Sequence, residues 1–179
     1  MLNPPEVLKT ERLRICRLRL SDADRLFEGW AQDPRVTRYL IWKPHKTIEE
    51  SIAHATRCEE AWENGKRYTW ILQDPESEEA LGSISAHPAG HRVGLGYLLK
   101  PSAWGKGLMT EAVSKLSRWF LEQPDIHRVW AVCDFENAGS ARVLERAGFE
   151  FEGLLRRWEV HPNVGQEPRD ALCFSIIRG

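Results

Sequence analysis

The sequence lacks the marks of a membrane protein, a secreted protein or a nucleic-acid binder. No run of residues is long and apolar enough to span a bilayer. The N-terminus, Met1-Leu2-Asn3-Pro4-Pro5-Glu6, has no basic stretch followed by an apolar one, so no secretory leader is expected. Charge of neither sign dominates. The formal net charge is −1, which leaves no basic field broad enough to hold nucleic-acid phosphates. Cysteine is sparse: Cys16, Cys58, Cys133 and Cys173, none in a Cys-x-x-Cys pair and three inside apolar, strand-like runs. Buried free thiols in a reducing compartment are expected, and with them a cytoplasmic location. There is no internal repeat, low-complexity tract or linker, and 179 residues suit one domain, residues 1–179. With 42% hydrophobic residues the chain can build a sizeable core. What is abundant is tryptophan. Eight of them imply an aromatic core or pocket but name no reaction.

Periodicity and turn chemistry give the element order β α α β β β α β α β β. Arg12 to Leu20 alternates arginine with apolar residues, as a half-buried strand does, but its phase slips. A bulge near Cys16 would turn both apolar sets to the core. Ser21-Asp22-Ala23-Asp24 opens a helix to about Gln32, stopped by Asp33-Pro34. Thr47 with Glu50 opens a second, reaching Asn64-Gly65. Tyr68–Gln73, Ala80–Ala86 and Arg92–Leu99 read as strands between turn signals. Gly105–Glu122 reads as an amphipathic helix, His127–Asp134 as a strand, and Asn137–Ala147 as a helix with an Asn cap. Glu150–Val160 and Arg169–Ile177 form a closing hairpin. The order predicts an α/β fold with a mixed sheet, at least one parallel pair, and helices on both faces.

The most informative stretch runs from Leu98 to Ala112, where a strand ends and a helix opens on Gly105-Lys106-Gly107. Amides at a helix N-terminus lack intrahelical acceptors, and the helix dipole adds positive potential there. Glycines let main chain close on an anion. Such a loop can cradle a pyrophosphate, with Lys106 adding a cation and Thr110 a hydroxyl. Alone, Gly-x-Gly fits an ordinary tight turn equally well. It is neither a Walker loop nor a dinucleotide fingerprint.

The stretch resembles the acetyl-CoA loop of the GNAT superfamily, Arg/Gln-x-x-Gly-x-Gly/Ala. Gly107 matches, Trp104 stands where Arg or Gln is usual, and Met109 takes the last small position. Trp104-Gly105-x-Gly107 followed by Thr110-Glu111-Ala112 looks like the branch containing ribosomal-protein N-terminal acetyltransferases. So do Thr10-Glu11-Arg12-Leu13 with Ser21-Asp22-Ala23, Trp42-x-Pro44-His45, His127-Arg128-Val129, and Asn137-x-x-Ser140-Ala141-Arg142-Val143-Leu144-x-x-Ala147-Gly148-Phe149. The resemblance covers nearly the whole chain. It implies a mostly antiparallel sheet with a splayed parallel pair, and acetyl transfer from acetyl-CoA to a primary amine without a metal. It also implies cofactor contacts at Leu98, Leu99, Trp104, Gly105, Lys106, Gly107, Met109, Thr110, Asn137 and Ser140. Gly94 and Leu144 stand where many members carry a glutamate base and a tyrosine acid. In the ribosomal-protein branch a serine and a later glutamate have those roles, here Ser140 as donor to the departing sulfur and Glu159 as base. A dimer is expected from the family alone.

Other residues divide between functional and structural readings. Gly94 and Gly96 in one strand fit either close approach of a ligand or a bulge. Glu111 reads best as a structural acceptor. Tyr39, Trp42, His45 and Trp158 are expected on the acceptor side; Trp30 fits core or pocket. His87 and His91 flank a Pro-Ala-Gly turn and are not expected to bind zinc. The favoured acceptor is a protein or peptide α-amine, with a ribosomal protein's N-terminus among the candidates. A small amine such as a polyamine, aminoglycoside or amino acid is the alternative, and a non-catalytic acyl-CoA sensor a third. An acidic cleft would favour polycations and an open groove a peptide.

Overall fold

The structure, a computed structural model, describes residues 2–179. Its centre is an eight-stranded sheet in the order β1-β2-β3-β4-β5-β6-β8-β7. The strands are β1 (Val7–Lys9), β2 (Arg14–Arg17), β3 (Tyr68–Gln73), β4 (Ala80–Ala89), β5 (Arg92–Leu99), β6 (Arg128–Asp134), β7 (Glu150–Glu159) and β8 (Arg169–Ile177). All neighbours are antiparallel except β5 and β6. The helices are α1 (Ala23–Leu26, running on through a π turn at Phe27–Ala31), α2 (Pro34–Thr37), α3 (Ile48–Glu63), α4 (Leu108–Leu121) and α5 (Ala138–Arg146). The expected mixed sheet with one parallel pair is what forms.

Alternation along β3 sorts the core into two layers. Trp70 and Leu72 join the cluster under α4 with Leu116 and Phe120. Ile71 joins the cluster under α1 and α3 with Leu26, Trp30, Ala55 and Cys58. That is the period-2 signature of a strand buried on both faces. All four cysteines are free thiols, three buried and Cys16 half-buried.

The chain start departs from expectation. The segment Arg12–Leu20, read as one bulged strand, holds only β2, which pairs with β3 in unbroken register; the β1 strand that pairs with it on the other side, Val7–Lys9, is not among the expected elements. The phase slip has another cause. Both faces of the segment are buried: Leu13 and Ile15 join the cluster under α4, Cys16 and Leu18 the one under α1 and α3, and the Leu18 amide still donates to the Thr69 carbonyl at 2.9 Å. Leu20 is exposed. The cap of the first helical turn is also displaced: the Asp22 carboxylate accepts from the Arg19 amide at 2.9 Å. Among the described residues, no helix is long and apolar enough to cross a membrane.

The parallel pair is the feature that makes a site. β5 and β6 are bonded only at Arg92/Arg128, Val93/Val129 and Gly94/Trp130. Beyond that, β5 continues to Leu99 and β6 to Asp134 without pairing, so the strands diverge and leave a gap through the sheet.

Candidate active site

A cavity of about 1260 Å³ passes through this gap and reaches both faces of the sheet. At one end is the turn into α4. The Lys100 amide closes β5 onto the Leu81 carbonyl at 2.9 Å, and Pro101–Ala103 makes a single 3-10 turn. Gly105 and Gly107 then take left-handed φ values of 72° and 76°, and Gly107 is the residue before the first helical position. The first intrahelical bond runs from the Glu111 amide to the Gly107 carbonyl, so the amides of Leu108, Met109 and Thr110 are free of the helix. Trp104, Gly105, Gly107, Met109 and Thr110 all line the cavity.

Met109 is only 3% exposed, packed with Leu108 and Ala112 in the core. Its length therefore does not narrow the loop, which explains why a long side chain is accepted at a position usually held by a small one. Lys106 lies outside the lining. Its carbonyl accepts from Arg12 Nη1 at 2.8 Å. The Trp104 indole folds back to donate to the Leu99 carbonyl at 2.7 Å.

Glu111 fixes the loop from behind. Its carboxylate accepts from the Arg12 amide at 3.0 Å and from Arg12 Nε at 2.8 Å, while the same guanidinium holds the Lys106 carbonyl. This makes Glu111 a structural acceptor, as the sequence suggests. Burial pushes its carboxyl up, but the bonds from Thr10 and Arg12 outweigh burial and leave it below its ordinary value. A carboxyl lowered on folding stabilises above its unfolded pKa, and that contribution is lost as pH falls through the folded value. Glu111→Gln is expected to cost about 1 kcal/mol after solvent screening, or a Tm lower by about 2–4 °C. The loss should be measurable by thermal denaturation at pH 7 and should shrink below about pH 4.

At the middle of the gap, α5 brings in Ser140. Asn137 caps that helix, its Oδ1 accepting from the Ser140 amide at 3.1 Å. The Ser140 hydroxyl is therefore not needed as a cap. It sits 2.9 Å from the Tyr97 phenol, which also lies 3.3 Å from the Ser140 carbonyl. Tyr97 comes from β5, on the face of the sheet toward α4 and α5. Burial pushes its phenol well above the ordinary value, so it stays protonated. Cys133, on β6, borders the same space, and burial raises its thiol to about 11. Leu144, where many GNAT enzymes carry a tyrosine, is fully buried. The phenol reaches this point from a strand instead of from the helix.

The other end of the cavity faces α1–α3. The two glycines of β5 have different reasons. A Cβ on Gly94 would meet the Trp130 indole at 3.2 Å, whereas one on Gly96 would meet nothing within 4 Å. Gly94 thus makes room for Trp130, and a glutamate there would displace that ring. Gly96 is open floor. The β4–β5 register is unbroken, which excludes a bulge.

The walls here are aromatic. Trp42 lies 5.0 Å from the His45 ring and 6.3 Å from His54. His45 Nδ1 is 2.7 Å from the Ser51 hydroxyl, and burial lowers its pKa. Burial, then Arg67 and the neighbouring cations, lowers His54 to about 4. Tyr39 stands edge-on to His161. His161 is buried, with Nε2 3.6 Å from an Asp134 oxygen and Nδ1 without a partner. Asp134 itself is held by Arg169 at 2.6 Å. Glu159 ends β7 opposite Arg169 and lines the cavity. Asn163 Nδ2 donates to the Thr37 and Trp42 carbonyls, tying the β7–β8 connection to this wall. Trp158 lies outside the lining and is 48% exposed, and Trp30 is core and lining at once.

The structure thus gathers Leu98, Leu99, Trp104, Gly105, Gly107, Met109, Thr110, Asn137, Ser140, Tyr39, Trp42, His45 and Glu159 around one cavity. Tyr97, His161 and Arg67 were not singled out as side chains by the sequence. Strand parity places Tyr97 opposite Gly96, but nothing local places its phenol beside Ser140. Among the described residues no group of His, Cys, Asp and Glu could hold a metal ion. His87 lines the cavity, while His91 sits in the β4–β5 turn, outside the lining.

Residues 12–150 match the family model described as the acetyltransferase (GNAT) domain. An uncharacterized N-acetyltransferase, p20, of Bacillus licheniformis is 31% identical over 97% of each chain. The [ribosomal protein uS5]-alanine N-acetyltransferase of Escherichia coli is 30% identical over 86% of this chain and 84% of its own. In fold, the microcin C7 self-immunity acetyltransferase MccE, solved with acetyl-CoA and AMP, superposes with a TM-score of 0.88 at 21% identity, over 97% of each chain. The chain belongs to the GNAT acetyltransferase family. It is an N-acetyltransferase with acetyl-CoA as co-substrate.

Proposed function

We propose that the acceptor is the N-terminal α-amine of a peptide or protein. The observation that carries this reading is the character of the cavity on the α1–α3 side. Its lining has Arg35, Arg38, Arg57 and Arg67 against two carboxylates, Asp134 and Glu159; Arg35 is paired with Asp33 and Asp134 with Arg169. A cleft of that sign repels polyamines and aminoglycosides and suits a singly charged α-amine on an otherwise neutral or acidic chain. Flat aromatic walls at Trp42, His45 and His54 suit an extended main chain. The relative that acetylates ribosomal protein uS5 at alanine supports the same class.

Acetyl-CoA supplies the acetyl group as an activated thioester. In this reading the free amides at Gly105–Thr110 hold its pyrophosphate, and main chain of Leu98 and Leu99 with Asn137 orients the arm in the gap. The β5 amide of Tyr97, which faces the gap where the strands diverge, donates to the carbonyl oxygen as it gains charge. Glu159 accepts the proton that leaves the attacking amine, with His161 on the same wall. An α-amine has a pKa near ~8, so this base has less to do than it would for a lysine. Ser140 donates to the sulfur as the C–S bond breaks, and Tyr97 orients the hydroxyl. If Tyr97 donates to Ser140, the serine proton is left free to point into the gap.

The test is thiol release from acetyl-CoA with a panel of N-terminal peptides, including the uS5 N-terminus, against spermidine, an aminoglycoside and free amino acids. Peptides should be turned over with kcat/KM at least about tenfold above the small amines. Glu159→Gln should lower kcat by roughly 10²-fold and remove the acid limb of the pH profile. An acid limb retained in Glu159→Gln but lost in His161→Gln would move the base to His161. Preference for spermidine would overturn the peptide reading.

A further inference from the structure

Most guanidiniums tied into this fold meet a carboxylate. Arg12 pairs with Glu111, Arg17 with Glu6 and Glu63, Arg25 with Asp22, Arg128 with Glu152, and Arg169 with Asp134 and Glu136. Arg67 differs. It stands just before β3 and lines the cavity with Thr69. Its Nη2 donates to the Cys58 sulfur at 3.3 Å, its Nε is buried without a partner, and it makes no ion pair among the described residues. Burial raises the Cys58 thiol despite the guanidinium, so Cys58 does not become the missing anion. The lining groups that feel the Arg67 charge are neutral histidines, His54 and His87, with Arg57 beside His54. A half-buried guanidinium that lines a cavity and has no counter-charge favours an arriving oxyanion.

The position relative to the gap is fixed by register. Tyr68 pairs with Ala86, so Arg67 is level with His87, and His87 pairs with Gly94, where β5 and β6 part. Two strand spacings separate Arg67 from that point, about 10 Å. An extended chain advances about 3.3–3.6 Å per residue. The reacting centre at Tyr97 lies three residues, about 10 Å, further along β5, so the diagonal is about 14 Å; the reach of the Arg67 side chain and of an acidic side chain shortens it to what residue two or three of a peptide spans.

Resting on the peptide reading above, we propose that Arg67, with Arg57 at the mouth, is a carboxylate subsite for the acceptor. It selects peptides with aspartate or glutamate at the second or third residue from the acetylated amine. Trp42 and His54 form the flat wall along which the intervening main chain lies.

The experiment measures thiol release by the full chain with Ala-initiated pentapeptide amides carrying Glu, Gln or Lys at residues two and three. Ala-Gly and Ala-Gly-Gly with free and amidated C-termini separate a side-chain carboxylate from a terminal one. The Glu peptides should exceed the Gln peptides in kcat/KM by about tenfold and the Lys peptides by more, with the advantage shrinking as salt is raised. Arg67→Gln should bring the Glu/Gln ratio close to one, and Arg67→Lys should retain part of it, which shows that the fold survives the change. Equal rates for Glu, Gln and Lys peptides, or an undiminished ratio in Arg67→Gln, would overturn the subsite and leave the peptide reading standing. Thiol release with small amines and none with any peptide would sink both. A preference confined to free C-termini would reassign the anion to the terminal carboxylate, against the side-chain selection proposed.

Discussion

Ser140→Ala is expected to lower kcat by roughly 10²-fold while the KM for acetyl-CoA changes little. The hydroxyl is poised, not structural: Asn137 caps α5, and Ser140 Oγ instead meets the Tyr97 phenol at 2.9 Å. Removing it leaves the phenol within 3.3 Å of the Ser140 carbonyl, so the local packing has a remaining bond to keep. Tyr97→Phe keeps the ring and removes the bond, and should cost about tenfold in kcat. Because burial holds the phenol protonated well above the working range, its loss should not shift the alkaline limb of the pH profile. A tyrosine acting as the acid itself would give the opposite pattern, with Tyr97→Phe the more damaging change. Stopped-flow detection of the released thiol at saturating acetyl-CoA separates these outcomes. Unchanged kcat in Ser140→Ala would show that the thiolate leaves unaided, which a thiol pKa near ~8.5 allows.

The contrast between Ser140 and Tyr97 shows where sequence information stops. Ser140 is legible because it lies three residues from an Asn cap in a local pattern. The loop at Gly105–Thr110 is legible for the same reason: a strand end, a turn and a helix start are all specified within about a dozen residues. The parallel pair followed from strand–helix–strand order. Tyr97, Arg67 and His161 act through partners 43, 9 and 27 residues away, and no local periodicity encodes those meetings. Met109 departs from the small residue of the loop pattern, and sequence gives a side chain's length but not its direction; the helix turns it inward. Gly94 and Gly96 show the same limit. Both break strand propensity, yet one makes room for Trp130 from the next strand and the other opens the floor of the cavity. The phase slip at Arg12–Leu20 needed no bulge, because both faces of that strand are buried, which sequence parity alone does not reveal.

Gly107→Val should weaken coenzyme A binding by about a hundredfold, measured by calorimetry with coenzyme A itself. Gly107 sits at φ 76° immediately before the first turn of α4, and a β-branched residue there is strained by about 1–2 kcal/mol. The chain can relieve that strain only by rotating out of the left-handed region, which re-aims the amides of Leu108 to Thr110. Those amides are the donors left outside the helix ladder, and their convergence depends on the glycine. About 2.8 kcal/mol of binding, a factor of a hundred, is the scale of losing two charge-assisted bonds to a diphosphate. The Arg12 clamp does not offset the change, because it holds the Lys106 carbonyl and Glu111 on either side and leaves position 107 to find its own conformation. Gly96→Ala is the matching control: its side chain shares the face of Leu98, toward α1–α3 and away from the start of α4, so coenzyme A should bind it as it binds the parent. Equal affinity for Gly107→Val and Gly96→Ala would mean that the diphosphate is held elsewhere than at the start of α4.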